Sequence, residues 1–275
     1  MPELPELEVI RQRLRQHFVH KVIRDFTILK PYVLKNYFRG DLSGEEGEDI
    51  ARRGKYLIFQ MTSHNVYVHL KLRGSVDHVM PSKKIGKSVN AVFVLDEGKR
   101  IEFRETGTNK RMSIYVRNRR ESPEFIQKLG IEPLSDELTV EELGRLLRRE
   151  RKQLKSFLCR QGTIAGIGNA YSDEILWKAR LAPFKLSFHL TAQEVLNLHS
   201  AILHVLYWGI KEASCSKRLG KRDFLMIHGR RNSPCPRCGD NIRTVSFSNR
   251  DMFYCPNCQT GGKILRDRRM SKFYR

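Results

Sequence analysis

The chain is predicted to be α+β and multidomain, with an antiparallel β-sandwich carrying an N-terminal helix, then a helical domain, then a C-terminal β-hairpin zinc finger. Three observations predict this. Short β-rich runs punctuated by Gly, Pro, Asn and Asp fill the first domain, expected over residues 1–125. Apolar positions at helical spacing, with two capping-box signatures, mark residues 126–230. Cysteines spaced as CPRC, sixteen residues, then CPNC define a module over 231–260, with a basic, flexible tail expected over 261–275. A chain of 275 residues is long enough for two cores and a small third module.

In chain order, Leu7, Ile10, Leu14 and Phe18 share one helix face, with Arg11, Arg13 and Arg15 in the later turns where the dipole favours cations. Strand-like runs follow at Val22–Leu29, Tyr56–Met61, Val66–Leu72, Ala91–Leu95, Arg100–Arg104 and Ser113–Val116. Thr139 with Glu142 opens a helix through Leu143, Leu146 and Leu147, and Thr191 with Glu194 opens a longer one through Leu203, Leu206 and Ile210. Shorter helices are expected at Lys152–Arg160 and Ala170–Ala179, joined by GTIAGIGN, and Lys217–Arg231 reads as a basic loop or linker. In the cysteine module, Ile242, Val245 and Phe247, then Phe253 and Tyr254, alternate as a hairpin turning at Ser248-Asn249.

Net charge is +21 with pI near 10.0, and the cations are spread along the chain, which favours a polyanionic partner and most simply nucleic acid. A membrane surface competes, but no basic helix carries a suitable apolar face and no apolar run approaches a membrane span. The N-terminus is acidic and proline-marked rather than basic then apolar, so no signal peptide is expected, and a soluble intracellular protein is. In that setting Cys235, Cys238, Cys255 and Cys258 point to one tetrahedral Zn²⁺ rather than disulfides, and four thiolates leave it structural. Cys159 and Cys215 read as ordinary thiols.

The chemistry concentrates at Met1-Pro2-Glu3-Leu4-Pro5-Glu6. If Met1 is removed, which the small Pro2 favours, Pro2 becomes a secondary amine. An α-amino group titrates at about 7.7–8, so a useful fraction is neutral and nucleophilic. Attack on a sugar aldehyde carbon gives an iminium that accepts electrons from breaking bonds, with Glu3 and Glu6 near enough to serve as acid and base. The plainer reading is a helix start, with prolines and glutamates suited to its positive end. Three further sites carry similar alternatives. Lys55, in RRGKY, is a hairpin-tip lysine that is either functional or merely solvated. Asn169, in GIGNAYSDEILW, caps a helix whose N–H groups suit phosphate, or belongs to a simple turn. Arg250, at or just beyond the ribbon tip, is a solvated turn residue or a fork for phosphate or a minor-groove edge.

The MPELPE start, the GKY lysine, GIGNAYSDEILW and the terminal CxxC…CxxC ribbon occur together and in order, and through them the chain resembles the formamidopyrimidine-DNA glycosylase/endonuclease VIII family over residues 1–258. The resemblance implies a β-sandwich with its N-terminal helix, a helix–two-turn–helix domain and a zinc finger, with damaged double-stranded DNA held in the cleft between. It implies base flipping, excision and β,δ-elimination by a monomeric base-excision repair enzyme, both glycosylase and lyase, that is cytoplasmic or nucleoid-associated and free of membrane. By motif, Pro2 matches the nucleophile at C1′, Glu3 the acid/base of ring opening, Glu6 a secondary acid of the lesion pocket and Lys55 the lysine on the lesion-flanking phosphate. Asn169, Arg250 and, in QLKSFL, Lys155 match phosphate contacts. Flipping costs a few kcal/mol of unstacking, which several cationic grips on a kinked backbone can offset.

The sequence departs from the purine-type pattern in three places. HLKLRG and TNKRMS stand where HLGMSG and DPRRFG are usual, so Leu72, Lys110 and Met112 become the expected wedge residues. Leucine and methionine fill a gap but stack less well than phenylalanine, and Lys110 lacks an arginine fork toward the opposite base. The loop between Glu212 and Cys235 is short, which weakens the case for 8-oxoguanine and leaves formamidopyrimidines or oxidised pyrimidines as lesions. Seventeen residues continue past Cys258, either as extra nonspecific DNA affinity or as disorder with no role. The expectation is an enzyme of the formamidopyrimidine branch. The alternatives are an endonuclease VIII-like pyrimidine enzyme, a noncatalytic damaged-DNA binder, and an RNA-binding or ribosome-associated zinc protein.

Overall fold

The computed structural model describes residues 1–108, 111–216, 222–247 and 250–265, without the side chains of Phe247 and Arg250. Met1–Lys128 form one compact unit, and Leu129–Ser216 with the described residues from Arg222 onward form another.

The first unit opens with helix α1 (Leu4–Phe18), whose buried stripe of Leu7, Ile10, Leu14 and Phe18 follows the spacing in the sequence. Eight strands follow: β1 (Ile23–Ile28), β2 (Gly47–Arg53), β3 (Tyr56–Met61), β4 (His64–His69), β5 (Gly74–Val79), β6 (Val89–Leu95), β7 (Arg100–Glu105) and β8 (Ser113–Asn118). They form two antiparallel four-stranded sheets, in the orders β1-β6-β7-β5 and β2-β3-β4-β8. Their inner faces and the α1 stripe share one core, where Phe59 meets Phe18, Phe93 and Phe103 at ring centroid distances of 5.2, 5.5 and 5.3 Å. Such edge and tilted arrangements are the favoured ones for aromatic pairs.

Two strands differ from the sequence reading. β2 (GEDIARR) and β5 (GSVDHV) were not expected, and both are edge strands of their sheets, where one apolar residue in two or three satisfies a half-covered position. The run expected to reach Leu72 stops at His69, because Lys71 turns into the left-handed region at φ 54° and leaves the ladder.

The second unit is helical. A short α2 (Glu124–Gln127) precedes it at the end of the first unit, followed by α3 (Val140–Glu150), α4 (Leu154–Cys159), α5 (Asn169–Lys178) and α6 (Ala192–Cys215). The Thr191/Glu194 capping box is reciprocal, at 3.2 and 2.9 Å. At α3 only the Thr139 half forms, at 3.1 Å, because the Glu142 carboxylate turns to Arg145. Helix α5 is buried from Ala170 to Leu176 and packs on α6, with Tyr171 lying against Gly209. Residues 222–231 form no regular element, but Leu225 and Ile227 are buried, so the described part of the expected linker is anchored. A hairpin, β9 (Arg243–Phe247) and β10 (Arg250–Tyr254), and a final turn, α7 (Pro256–Thr260), complete the unit. The expected turn at Ser248-Asn249 and the tail beyond Leu265 lie outside the described residues.

Candidate active site and nucleic-acid interface

Pro2 lies just outside α1 and is partly exposed, while Glu3, at the N-cap, is only 2% exposed. The Glu6 carboxylate accepts the Glu3 backbone N–H at 2.8 Å, so one candidate acid fixes the backbone of the other. The first helical turn thereby fixes the backbone at Glu3, directly after Pro2. The brace continues along α1. Arg52 of β2 donates from Nε to Glu8 Oε2 at 3.2 Å and from Nη1 to the Gly54 carbonyl at 3.1 Å. Burial alone would raise the Glu8 carboxyl, but the hydrogen bond and charge of Arg11, with Arg52, hold it below its usual range.

That brace ends at the β2–β3 turn, where Lys55 follows Gly54. The expectation of a lysine projecting from a hairpin tip is corrected here, since Lys55 is 6% exposed. Beside it lies His69, a residue the sequence reading did not select. His69 packs edge-on against Tyr56 at 4.8 Å, and its Nδ1 accepts the Lys71 N–H at 3.1 Å. Burial first, then the like charges of Lys71 and Lys55, push its imidazole down to about 3. It is therefore neutral at physiological pH, with Nε2–H as its donor. The signal was present in HLKLRG, but a histidine ending a strand gives no periodicity that distinguishes it.

Of the three expected wedge residues, Leu72 is 55% exposed, just past the Lys71 turn. Met112 is corrected: it is fully buried in the sandwich core, and its N–H is held by Glu105 at 2.9 Å. An apolar residue just before β8 completes the core rather than presenting itself to a partner. Lys110 lies outside the described residues.

In the second unit, the N-cap of α5 is Gly168, and Asn169 is the first helical residue, so the expected Asn169 cap is corrected. The Asn169 amide instead donates to the Asp251 carbonyl of β10 at 3.0 Å. Lys155 is also corrected as a phosphate contact. It is 5% exposed, and its Nζ donates at 2.6 Å both to the Asn169 carbonyl and to Asp173 Oδ1. A buried ammonium needs such a partner, and Asp173 supplies it. The other Asp173 oxygen lies 2.6 Å from His228 Nδ1. The neighbouring Glu174 carboxylate accepts the N–H groups of Met226, Ile227 and His228 at 3.1, 2.9 and 2.9 Å. Burial pushes Glu174 up despite these three donors. Asp173 and Glu174 thus organise the surroundings of Asn169, a role legible only as two acids interrupting an otherwise buried helix.

The sulfurs of Cys235, Cys238, Cys255 and Cys258 lie within 4.8 Å of one another, with pairs at 3.4, 3.4 and 3.9 Å. Four Zn–S bonds of about 2.3 Å in a tetrahedron place sulfurs about 3.8 Å apart, so the cluster fits one structural Zn²⁺. Trp177 Nε1–H points at Cys235 Sγ at 3.4 Å, and the Arg237 guanidinium stacks over the same indole at 4.2 Å, which ties the ribbon to α5. Arg250 opens β10 opposite Phe247. No helix among the described residues is long and apolar enough to cross a membrane.

Residues 1–112 match the formamidopyrimidine-DNA glycosylase N-terminal domain, residues 129–219 the formamidopyrimidine-DNA glycosylase H2TH domain, and residues 232–261 the zinc finger found in FPG and IleRS. The chain is 33% identical over 276 residues to the formamidopyrimidine-DNA glycosylase of Desulforamulus reducens, covering 94% of this chain and 99% of that protein. It is 33% identical over 273 residues to that of Desulfitobacterium hafniense, covering 94% and 100%. Among solved structures, a complex between the LlFpg protein, a THF-DNA and an inhibitor superposes with a TM-score of 0.87 at 27% identity, covering 94% of this chain and 100% of that one. A complex of the wild-type Lactococcus lactis protein with an oxidized pyrimidine containing DNA gives 0.86 at 28%, with the same coverage.

Proposed function

The chain belongs to the formamidopyrimidine-DNA glycosylase family, and from that premise we propose that it excises oxidised bases from double-stranded DNA, formamidopyrimidine-type purines foremost, and cuts the backbone at the abasic site. The observation that carries the reading is Pro2 standing directly before Glu3, a buried carboxylate fixed at the start of α1. Once Met1 is removed, the Pro2 nitrogen is a neutral amine in part of the population near pH 7. Its lone pair attacks C1′ of the flipped nucleotide as the glycosidic bond breaks and the base leaves with a proton. Glu3 protonates O4′ as the sugar ring opens, which leaves an iminium between Pro2 and C1′. Loss of a C2′ proton then expels the 3′ phosphate, a second elimination expels the 5′ phosphate, and hydrolysis returns the free amine. Glu6 acts from beneath by holding the Glu3 backbone.

Lys55, Asn169 and Arg250 are assigned to the phosphates around the lesion and Leu72 to the gap left by the flipped base. The neutral His69, beside Lys55, offers an N–H to the same backbone. Lys155 acts through Asn169, whose carbonyl it holds. The four cysteines would hold one zinc ion, and four thiolates would fill its coordination, so its contribution would be to support the Arg250 hairpin rather than to activate water.

Borohydride trapping tests the reading, on duplexes carrying an abasic site, a formamidopyrimidine, 8-oxoguanine or thymine glycol. The expected result is a covalent protein–DNA adduct that disappears when the Pro2 nitrogen is acylated, while abasic-site binding is kept. Strand cutting unchanged with that nitrogen acylated would remove Pro2 as nucleophile. No adduct with any duplex, despite tight binding by protein with a free Pro2, would leave a damage binder. The short loop before Cys235 and the relative bound to an oxidized pyrimidine containing DNA favour a second reading, an oxidised-pyrimidine enzyme. A trapping order led by thymine glycol would select it.

A further inference from the structure

In the first unit, a buried carboxylate that none of the assignments above uses fixes the chain where it returns from β7 toward β8, beside the Leu72 loop. Glu105 ends β7 and is 1% exposed. Its Oε1 accepts the Arg111 N–H at 2.7 Å and the Met112 N–H at 2.9 Å, and its Oε2 faces the Asn90 amide at 3.4 Å. Asn90, also buried, in turn accepts the Tyr32 hydroxyl at 3.0 Å. The segment leaving β7 is fastened to the Leu72 loop as well. Thr106 N–H donates to the Arg73 carbonyl at 3.3 Å, and Gly107, at φ 80°, lies so close to Arg73 that a Cβ there would sit 2.8 Å from its Cδ. Met112, sunk in the core, anchors the returning end. Lys71 sits within the electrostatic reach of Lys35 and Arg111, and burial together with those like charges holds it below the ordinary lysine range. Its φ of 54° is a conformation that glycine adopts freely and lysine does not.

A buried carboxylate is costly, and an apolar side chain of similar volume would fill this place at less expense. Glu105 directs one oxygen to two successive backbone N–H groups, so what it secures is the position of the chain at Arg111. We propose that Glu105 is a positioning residue for recognition of the strand opposite the lesion: it fixes the Arg111 end of the segment that Thr106 and Gly107 fasten to the Lys71–Arg73 loop, so that Arg111, Lys71 and Leu72 meet the duplex as one preset group. The inference rests on the glycosylase reading, in which Leu72 enters the duplex. It assigns discrimination at the opposite base to the geometry of the two loops as much as to any one side chain.

The experiment measures dissociation constants by fluorescence anisotropy for duplexes with a tetrahydrofuran abasic analogue opposite each of the four bases. Wild type, Glu105→Ala and Glu105→Gln are compared, with thermal midpoints and borohydride trapping on a single-stranded abasic oligonucleotide alongside. Wild type is expected to prefer some opposite bases, and Glu105→Ala to lose that preference by roughly tenfold, the scale of one well-placed base contact. Glu105→Gln keeps an oxygen for both N–H groups and is expected to retain the preference. Should Glu105→Ala fail to fold, Glu105→Asp, too short by one methylene to reach both donors, takes its place. Preference intact in the Ala or Asp variant, or absent in wild type, overturns the proposal. A preference lost equally in Gln also does so, because charge rather than position would then be the cause. Binding is measured without turnover, so loss of single-stranded trapping in wild type would count against the catalytic reading and leave this test standing.

Discussion

Acidification should destabilise the first unit through His69, well above the range in which carboxylates titrate. An unfolded histidine takes up a proton near pH 6.5. In the folded chain His69 resists protonation down to about 3, because it is buried between Lys55 and Lys71. The unfolded state therefore binds one more proton throughout that window, and the stability present above pH 6.5 is lost as pH falls toward 3. At about 1.4 kcal/mol per pH unit, acidification from pH 7 to pH 5 costs about 2 kcal/mol. Glu8, whose carboxyl is held low, adds its own loss only as pH falls through the carboxylate range. The comparator is His69→Asn, in which Oδ1 replaces Nδ1 as acceptor for the Lys71 N–H. Urea denaturation at pH 7 and pH 5 should show the gap between wild type and variant shrinking by about 2 kcal/mol at the lower pH. NMR titration of the His69 ring should show no protonation above pH 5. An imidazole midpoint at pH 6 or higher, or an unchanged gap between the two proteins, would refute the argument.

Two further predictions separate residues that the sequence grouped together. Met112→Ala should cost about 2–5 kcal/mol in thermal or urea denaturation, because it empties a fully buried core site. Leu72→Ala should stay within about 0.5 kcal/mol of wild type yet weaken binding to abasic duplexes, and the reverse pattern would restore Met112 as the wedge. Lys155→Met should destabilise the second unit by about 3–5 kcal/mol, because it takes the ammonium partner from buried Asp173. It should leave the slope of log affinity against log salt unchanged. A slope reduced by about one would return Lys155 to the phosphates.

What could be read from the sequence was what repeats or recurs at fixed spacing. The α1 stripe, the Thr191/Glu194 box, the zinc cysteines and most central strands each follow a period or a motif, and the two sheets with their helix agree with it. β2 and β5 were missed because an edge strand need not alternate cleanly. Met112 was misassigned because a motif aligns positions without saying which face of the chain is turned inward. Lys155 was misassigned for the same reason: its interior partner Asp173 stands eighteen positions away in another helix. His69, Glu105 and Glu174 were invisible because their function is to receive backbone hydrogen bonds or to lack charge, and neither leaves a mark in residue order.

The buried polar groups explain why so small a set of candidate residues can be held so definitely. Glu3 and Glu6 lock the first turn of α1, Glu105 fixes Arg111 and Met112 beside the Leu72 loop, and Lys155, Asp173 and Glu174 lock Asn169 and residues 226–228. In each case a charge is withdrawn from water and its hydrogen-bonding capacity is directed at backbone next to a partly or fully exposed candidate residue. Such groups add little net stability against apolar replacements. What they add is a restricted geometry, since an acceptor buried beneath two or three N–H groups permits one arrangement of the chain above it. In the chemistry proposed above, which turns on an amine reaching one carbon, a displacement of about 1 Å can cost a hundredfold in rate. Among the described residues, much of the buried charge therefore serves to seat Pro2, Leu72 and Asn169.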